Sequence, residues 1–168
     1  FLQPAPVTAA ALSTLHDPAY VEALCQGTLD SKAMRRIGFP WSEQLFQRSL
    51  HSLGGTLQTA QAALSSGIAL HLSGGYHHAF AAEGSGFCLF NDLAVAARYA
   101  LTQGVDKVLI FDCDVHQGDG TAAIFSDEPA IITASLHGEK NFPSRKQQSS
   151  WDLGLPTACT DNEYLAAV

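Results

Sequence analysis

The sequence is poor in positive charge. Lysine and arginine together number 9 against 16 aspartates and glutamates, which gives a net charge of -7, and no run of basic residues occurs. Proteins that bind nucleic acid neutralise a row of phosphates with such side chains, so we expect no direct nucleic-acid binding. The acidic balance would instead attract a basic peptide or an amine.

Cysteine is also scarce, and its four copies contain no Cys-x-x-Cys pair: Cys25, Cys88, Cys113 and Cys159. Scattered cysteines in apolar surroundings are typical of reduced, buried thiols, so the sequence predicts a cytoplasmic protein without a disulfide framework. No apolar run reaches the roughly 18 residues of a membrane span, so we expect no membrane insertion. The chain starts without methionine or a charged signal region, which is typical of a fragment.

Hydrophobic residues make up 46% of the 168 positions and charged residues 15%, which fits one domain with an apolar core. Apolar spacing and capping residues predict three helices, from Ala9 to about Cys25 with a reset at Asp17-Pro18, from Ser42 to Ser66, and from Asn91 to Leu101. Residues 27–40 are predicted to form a loop. The glycine pair Gly54-Gly55 inside the second helix predicts a kink or a close backbone approach.

Short apolar runs predict strands at Ile68–Leu72, Val108–Phe111 and Ala130–Leu136, the middle one buried on both faces. A helical turn is predicted at 121–125, and Thr160 with Glu163 resembles a capping box that opens a last helix. Strands that alternate with helices indicate an α/β protein with a parallel sheet. Ligands of such sheets collect at the carboxyl ends of the strands.

The most informative stretch runs from Val108 to Gly120, where an apolar strand leads into Asp-x-Asp-x-His. In extended backbone Asp112, Asp114 and His116 would project to one side. Two carboxylates and an imidazole suit zinc or another first-row metal better than magnesium. The alternative is structural, since such acids also cap helices and a single histidine at a strand end is often only a hydrogen-bonding residue.

The adjacent histidines His77 and His78 follow Gly74-Gly75-Tyr76 in a glycine-rich loop. Adjacent histidines can be ordinary surface residues, but Asp112 and Asp119 are available as carboxylate partners. A carboxylate on one ring nitrogen leaves the other free and raises the histidine pKa toward the range of a general base.

These motifs together resemble the zinc-dependent histone deacetylase family. The resemblance rests on Gly-Gly-Tyr-His-His-Ala, Gly-Ser-Gly-Phe-Cys-Leu-Phe-Asn-Asp, Asp-Cys-Asp-Val-His-Gln-Gly-Asp-Gly-Thr and Ser-Leu-His, in that order, between about His16 and Tyr164. It implies the three-layer α/β/α arginase/deacetylase fold. Gln117 and the stretch Asn-Phe-Pro-Ser-Arg-Lys look most like the class IV and related bacterial branch.

The resemblance also implies a role for individual residues. Asp114 and His116 match zinc ligands, His77 and His78 match catalytic histidines, and Asp112 and Asp119 match the acids that orient them. Gly86, Phe87 and Phe142 are expected to line the tunnel for an acyl-lysine side chain, although each phenylalanine alone could be a packing residue. Ser135 and the backbone carbonyls of Asp112, Asp114, His116 and Leu136 match a monovalent-cation site, usually potassium.

Two parts of the family pattern have no match in these 168 residues: the third metal ligand, an aspartate, and the tyrosine that donates to the oxyanion. Asp127, Asp152 and Asp161 do not lie in the matching motif. We therefore expect residues 1–168 to form a partial deacetylase domain, lacking the N-terminal strand and the C-terminal part. Such a fragment would hold zinc weakly or not at all and would be inactive alone.

The predicted function is removal of an acetyl or other acyl group from lysine side chains or a similar amine, such as an acetylpolyamine. A catalytically inactive acyl-lysine binding module is the alternative outside the enzymes. The stretch from Leu109 to Val115 also fits haloacid dehalogenase-like phosphotransferases, with Asp112 as nucleophile and Asp114 as acid/base around magnesium. That alternative gives His77, His78 and His116 no task.

Overall fold

The first third of the chain is helical in the computed structural model, which describes residues 3–168. Its helices are α1 (Ala9–Leu12), α2 (Pro18–Gln26), α3 (Ser31–Ile37) and α4 (Glu43–Ser66). The side chains of Thr8, Asp17, Asp30 and Ser42 cap their N-termini by accepting backbone N–H groups. The predicted reset at Asp17 and the helix that starts after Ser42 are confirmed, whereas α3 occupies part of the stretch predicted as a loop.

Helix α4 packs against α5 (Asp92–Thr102), and α5 in turn packs against the sheet. Gly54 of α4 lies against the backbone of Ala5, and a side chain there would overlap the Ala5 carbonyl oxygen. The predicted close backbone approach is therefore confirmed. The helical core around Leu24, Leu53 and Phe90 is fully buried.

The sheet consists of three parallel strands in the order β1 (Val108–Asp112), β2 (Ile131–Gly138) and β3 (Trp151–Leu155). Val108 lies opposite Ile131, and Ala134 lies opposite Trp151. Helix α6 (Asp119–Ile124) connects β1 to β2, and α7 (Asp161–Ala167) follows β3. The parallel α/β architecture predicted from the sequence is confirmed, and so is the capping box of α7 at Thr160 and Glu163.

One face of the sheet is covered and the other is open. Ile110 and Ile131 pack against Ala94 and Ala97 of α5. On the opposite face Leu109 is 54% exposed and Phe111 47% exposed, so the prediction that this strand is buried on both faces was wrong for the part of the chain the structure describes.

Other predictions also need correction. Residues 68–72 form no strand, and Ile68, Leu70 and Leu72 are exposed. The third strand, β3, was not predicted, because its sequence has no run of apolar or β-branched residues. The four cysteines are free, as predicted, but only Cys88 is buried. Among residues 3–168 no helix has the length and apolar character needed to cross a membrane.

Candidate active site

Three separate segments meet at the carboxyl end of β1 and enclose a pocket of about 420 Å³. The loop before α5 contributes the adjacent histidines, the turn after β1 contributes acids and a third histidine, and the segment after β2 contributes an aromatic ring. The residues that line the pocket and were singled out in the sequence are His77, His78, Gly86, Phe87, Asp114, His116 and Phe142.

Each of the adjacent histidines is paired with its own carboxylate. His77 Nδ1 lies 2.5 Å from Asp112 Oδ2, and His78 Nδ1 lies 2.6 Å from Asp119 Oδ1. All four side chains are nearly buried. Because an ionised carboxylate only accepts hydrogen bonds, each imidazole carries a proton on Nδ1, and its Nε2 atom is not engaged by that carboxylate.

The electrostatic balance at His77 favours the protonated ring. Burial by itself lowers the pKa of His77, but the hydrogen bond to Asp112 and the negative charges of Asp112, Asp114 and Asp119 outweigh it, so the pKa lies above its ordinary value. Nearby carboxylates thus stabilise the charged form of His77.

Backbone hydrogen bonds hold the histidine loop from both sides. The buried carboxylate of Asp92 accepts from the N–H groups of Gly75 at 3.1 Å and Tyr76 at 2.8 Å, just before the pair. Asn91 Nδ2 donates to the carbonyl oxygen of Ala79, just after it, at 3.1 Å. The start of α5 therefore fixes the backbone on either side of the two imidazoles.

Asp114 and His116 lie in the turn that follows β1. In each acid the Oδ1 atom accepts a backbone N–H from two residues further along. Asp112 Oδ1 accepts the N–H of Asp114 at 2.9 Å, and Asp114 Oδ1 accepts the N–H of His116 at 2.8 Å. These turns face Asp112 toward His77 and leave Asp114 and His116 in the pocket, half-exposed, with Asp114 Oδ1 3.1 Å from His116 Nδ1. The alternation in the sequence suggested one row of three ligands, but in the structure Asp112 is paired with His77 and only Asp114 and His116 line the pocket.

The chemistry of this donor pair suits a divalent metal, because a carboxylate and an imidazole nitrogen lie side by side, half-exposed, in the pocket. Asp114 Oδ1 also lies 4.0 Å from His77 Nε2, so a ligand held here would be next to the paired histidines. Among residues 3–168 no group of three or more histidine, cysteine or acidic side chains is arranged to hold a metal.

Two aromatic rings line the same pocket as the histidines. The ring of Phe142, 43% exposed, stands perpendicular to that of His78 with centroids 4.9 Å apart. Phe87, at a positive φ of 67°, packs its ring against Phe39 at 5.1 Å. Gly86 comes so close to His78 that a Cβ there would lie 2.5 Å from its Cδ2 atom, so no larger residue fits.

Three of the residues expected at a monovalent-cation site lie close in the sheet, whereas Asp114 and His116 lie in the turn after β1. Asp112 of β1 pairs with Ser135 of β2, and Leu136 follows it. Ser135 Oγ is 3.0 Å from His137 Nδ1. The binding of potassium there remains a prediction.

A sequence model of the histone deacetylase domain matches residues 1–168. The chain belongs to the histone deacetylase family. Relatives include an uncharacterised protein from Picosynechococcus sp., 56% identical over 92% of this chain and 52% of that protein, and the acetoin utilization protein AcuC from Bacillus subtilis, 35% identical over 93% of this chain and 46% of that protein.

Solved structures show the same deacetylase fold. A histone deacetylase homologue from Aquifex aeolicus superposes with a TM-score of 0.83 at 28% identity, over 98% of this chain and 50% of that one, and a homologue complexed with SAHA gives the same values. The family and the arginase/deacetylase fold predicted from the motifs are confirmed. This chain spans about half the length of the relatives it matches, and the class IV branch remains a prediction.

Some residues that support this site were given no role in it by the sequence analysis. Asp92 is fully buried and has no basic partner among residues 3–168, and Gln117 is fully buried directly after His116. A buried acid at a helix start could be taken only for a capping residue, and a single glutamine carries no chemical signal. Contacts with distant loops identify both.

Proposed function

We propose that the protein containing this chain is a zinc-dependent hydrolase that removes an acetyl or other acyl group from lysine side chains or a similar amine. The observation that carries the proposal is the pair of adjacent histidines, each bonded through Nδ1 to its own carboxylate, beside Asp114 and His116 in one pocket. Membership of the deacetylase family supports it.

Asp114 and His116 would supply two of the metal ligands. A metal ion held there would polarise the acyl carbonyl and lower the pKa of a water molecule toward neutral pH. In this proposal the third ligand and the oxyanion tyrosine lie outside these 168 residues, and residues 1–168 form part of a single deacetylase domain. We therefore expect the isolated segment to be inactive and to retain less zinc than the complete protein, as metal analysis of both after dialysis would test.

His78 is assigned as the general base. Its Nδ1 proton is held by Asp119, so Nε2 is free to take a proton from the attacking water and to return it to the leaving amine. His77, held by Asp112, would remain protonated and stabilise negative charge on the reacting carbonyl. The division of roles between the two histidines rests on the family resemblance.

The substrate would enter between aromatic walls. Phe87 and Phe142, both exposed, would contact the aliphatic stem of an acylated lysine, and the net charge of -7 favours a basic peptide or an amine. The SAHA complex of a solved relative supports ligand binding by this fold. In the same proposal the protein is cytoplasmic and binds neither membranes nor nucleic acid.

The central experiment is turnover of acetyl-lysine peptides by the complete, zinc-loaded protein and its His78→Ala variant. Loss of one general base lowers kcat by roughly 10²–10⁴-fold. The control is His51→Ala, which removes an exposed histidine on α4 whose Nδ1 contacts only a backbone carbonyl of its own helix. Normal turnover by His78→Ala would refute the assignment, and peptide binding without turnover by the wild type would favour the inactive binding module.

A further inference from the structure

Gln117 uses every polar atom of its side chain although it is fully buried. Its Nε2 group donates to the carbonyl oxygen of Gln147 and to Asp152 Oδ1, both at 2.8 Å. Its Oε1 atom accepts the N–H of Gln147 at 2.9 Å. Two donors and one acceptor are therefore satisfied by one distant backbone position and one carboxylate.

The backbone position that Gln117 holds ends a short loop, residues 141–147, in which Phe142 points toward His78. Lys146 closes the same loop from within, because its Nζ donates to the carbonyl oxygens of Asn141 at 2.6 Å and Pro143 at 2.7 Å, on either side of Phe142. The N–H of Gln117 also lies 3.4 Å from the carbonyl oxygen of Phe142. Phe142 is thus held at both flanks and at its own carbonyl.

Asp152 completes this arrangement from β3. Its Oδ1 atom accepts from Gln117 and its Oδ2 atom accepts the N–H of Ser149 at 2.8 Å. Both oxygens of this carboxylate are therefore engaged by donors. The loop is therefore tied to the sheet, to the residue after His116 and to itself.

We propose that Gln117 and Lys146 are positioning residues that latch the 141–147 loop, so that the ring of Phe142 stands against His78 as one wall of the acyl-chain tunnel. The inference rests on the proposed deacylase function and adds the device that sets substrate affinity at that site. The wall is contacted by the bound substrate in both ground state and transition state, so the latch acts mainly on KM.

The first test compares Gln117→Leu, Lys146→Met and the wild type in the complete, zinc-loaded protein. Both variants should raise KM for acetyl-lysine peptides roughly fivefold while kcat changes less than about twofold, the signature of lost uniform binding. Gln148→Leu is the matched control, because Gln148 is exposed and one residue past the latched position. Bound zinc per protein should be the same in all four proteins.

The second test needs no turnover. Hydrogen exchange at the Gln147 amide, which donates to Gln117 Oε1, should be at least roughly tenfold faster in Gln117→Leu than in the wild type or in Gln148→Leu. Unchanged exchange together with unchanged KM would overturn the latch, whereas a wild type that fails to turn over acetyl-lysine would instead overturn the proposed function.

A double-mutant cycle shows whether the latch acts through the aromatic ring. Phe142→Ala should raise KM, and adding Gln117→Leu to it should raise KM little further, because the ring that the latch positions is gone. Fully additive effects, a loss of zinc in Gln117→Leu, or a fall in kcat at constant KM would each overturn the inference, since Gln117 would then act through His116 or on the fold.

Discussion

Asp92 illustrates how a single residue positions this site without touching the pocket. Its two carboxylate oxygens accept the N–H groups of Gly75 and Tyr76 and, at 2.6 Å, the hydroxyl of Thr56. Each oxygen faces a backbone donor, so both must be acceptors. The negative charge is dispersed over three hydrogen bonds, which allows a buried carboxylate without a basic partner.

Asp92→Asn should therefore destabilise the protein although the side chain keeps its size. An amide has only one acceptor oxygen, so its NH₂ group would face a backbone N–H, at a cost of about 1–3 kcal/mol. Urea denaturation of the complete protein measures the change. The control is the exposed Asp127→Asn, expected within about 0.5 kcal/mol of the wild type; equal midpoints for the two variants would contradict the prediction.

At the scale of elements, the first turn of α6 supports the histidine loop by close contact. The N–H of Thr121 donates to the carbonyl oxygen of His77 at 3.1 Å. Gly120 lies so near this backbone that an added Cβ would be 2.7 Å from the same oxygen. Asn91 holds the neighbouring carbonyl of Ala79, so the loop cannot move aside. A side chain at position 120 would therefore not fit between α6 and the histidine loop.

Gly120→Ala tests this contact because two effects oppose each other. Alanine favours a helix by about 0.5–1 kcal/mol, whereas overpacking against fixed backbone costs about 1–3 kcal/mol. We expect a net loss of stability and a lower kcat, measured by urea denaturation and by peptide turnover. In the control Gly154→Ala in β3, the added Cβ would lie 3.3 Å from the nearest atoms, the Cβ and Cγ of Glu139, which a shift of a few tenths of an ångström relieves, so neither quantity should change much. A more stable Gly120→Ala protein would show that the loop yields.

At the scale of the whole molecule, the buried His16 joins the helical core to the site. Its Nδ1 atom donates to the carbonyl oxygens of Phe80 and Ala81, at 3.1 and 3.2 Å, and its Nε2 atom accepts the N–H of Asn91 at 3.1 Å. Burial lowers the pKa of His16 below its ordinary value of 6.5, although the two carbonyls act in the opposite direction. If the ring were protonated, its Nε2–H would face the N–H of Asn91 and the hydrogen bond between them would be lost.

Stability should therefore decrease as the medium becomes acidic. Because the folded pKa of His16 lies below the unfolded one, the unfolded state binds the additional proton first, and stability is lost as pH falls from about 6.5 through the folded pKa. His16→Gln keeps a donor and an acceptor but cannot titrate. The difference in unfolding free energy between wild type and His16→Gln should shrink along this range; a constant difference would exclude His16 as the source.

The motifs were sufficient to predict the family, the parallel α/β class and the helix starts at Asp17, Ser42 and Asn91. These features depend on neighbours in the chain, since capping and periodicity act over a few residues. Predictions of burial were less successful. Cys25 and Cys113 are exposed, and Leu109 and Phe111 lie on an open sheet face, because burial depends on what packs from elsewhere.

For the site, the sequence by itself determined which side chains are candidates for the chemistry, because Asp-x-Asp-x-His and the adjacent histidines are read directly from residue types and spacing. Only the tertiary structure decided their contacts: Asp112 turns to His77 while Asp114 and His116 remain in the pocket, and Asp92 and Gln117 hold the surrounding loops. The reason is that hydrogen bonds between residues 16 or more apart depend on how the segments pack, which local spacing does not specify.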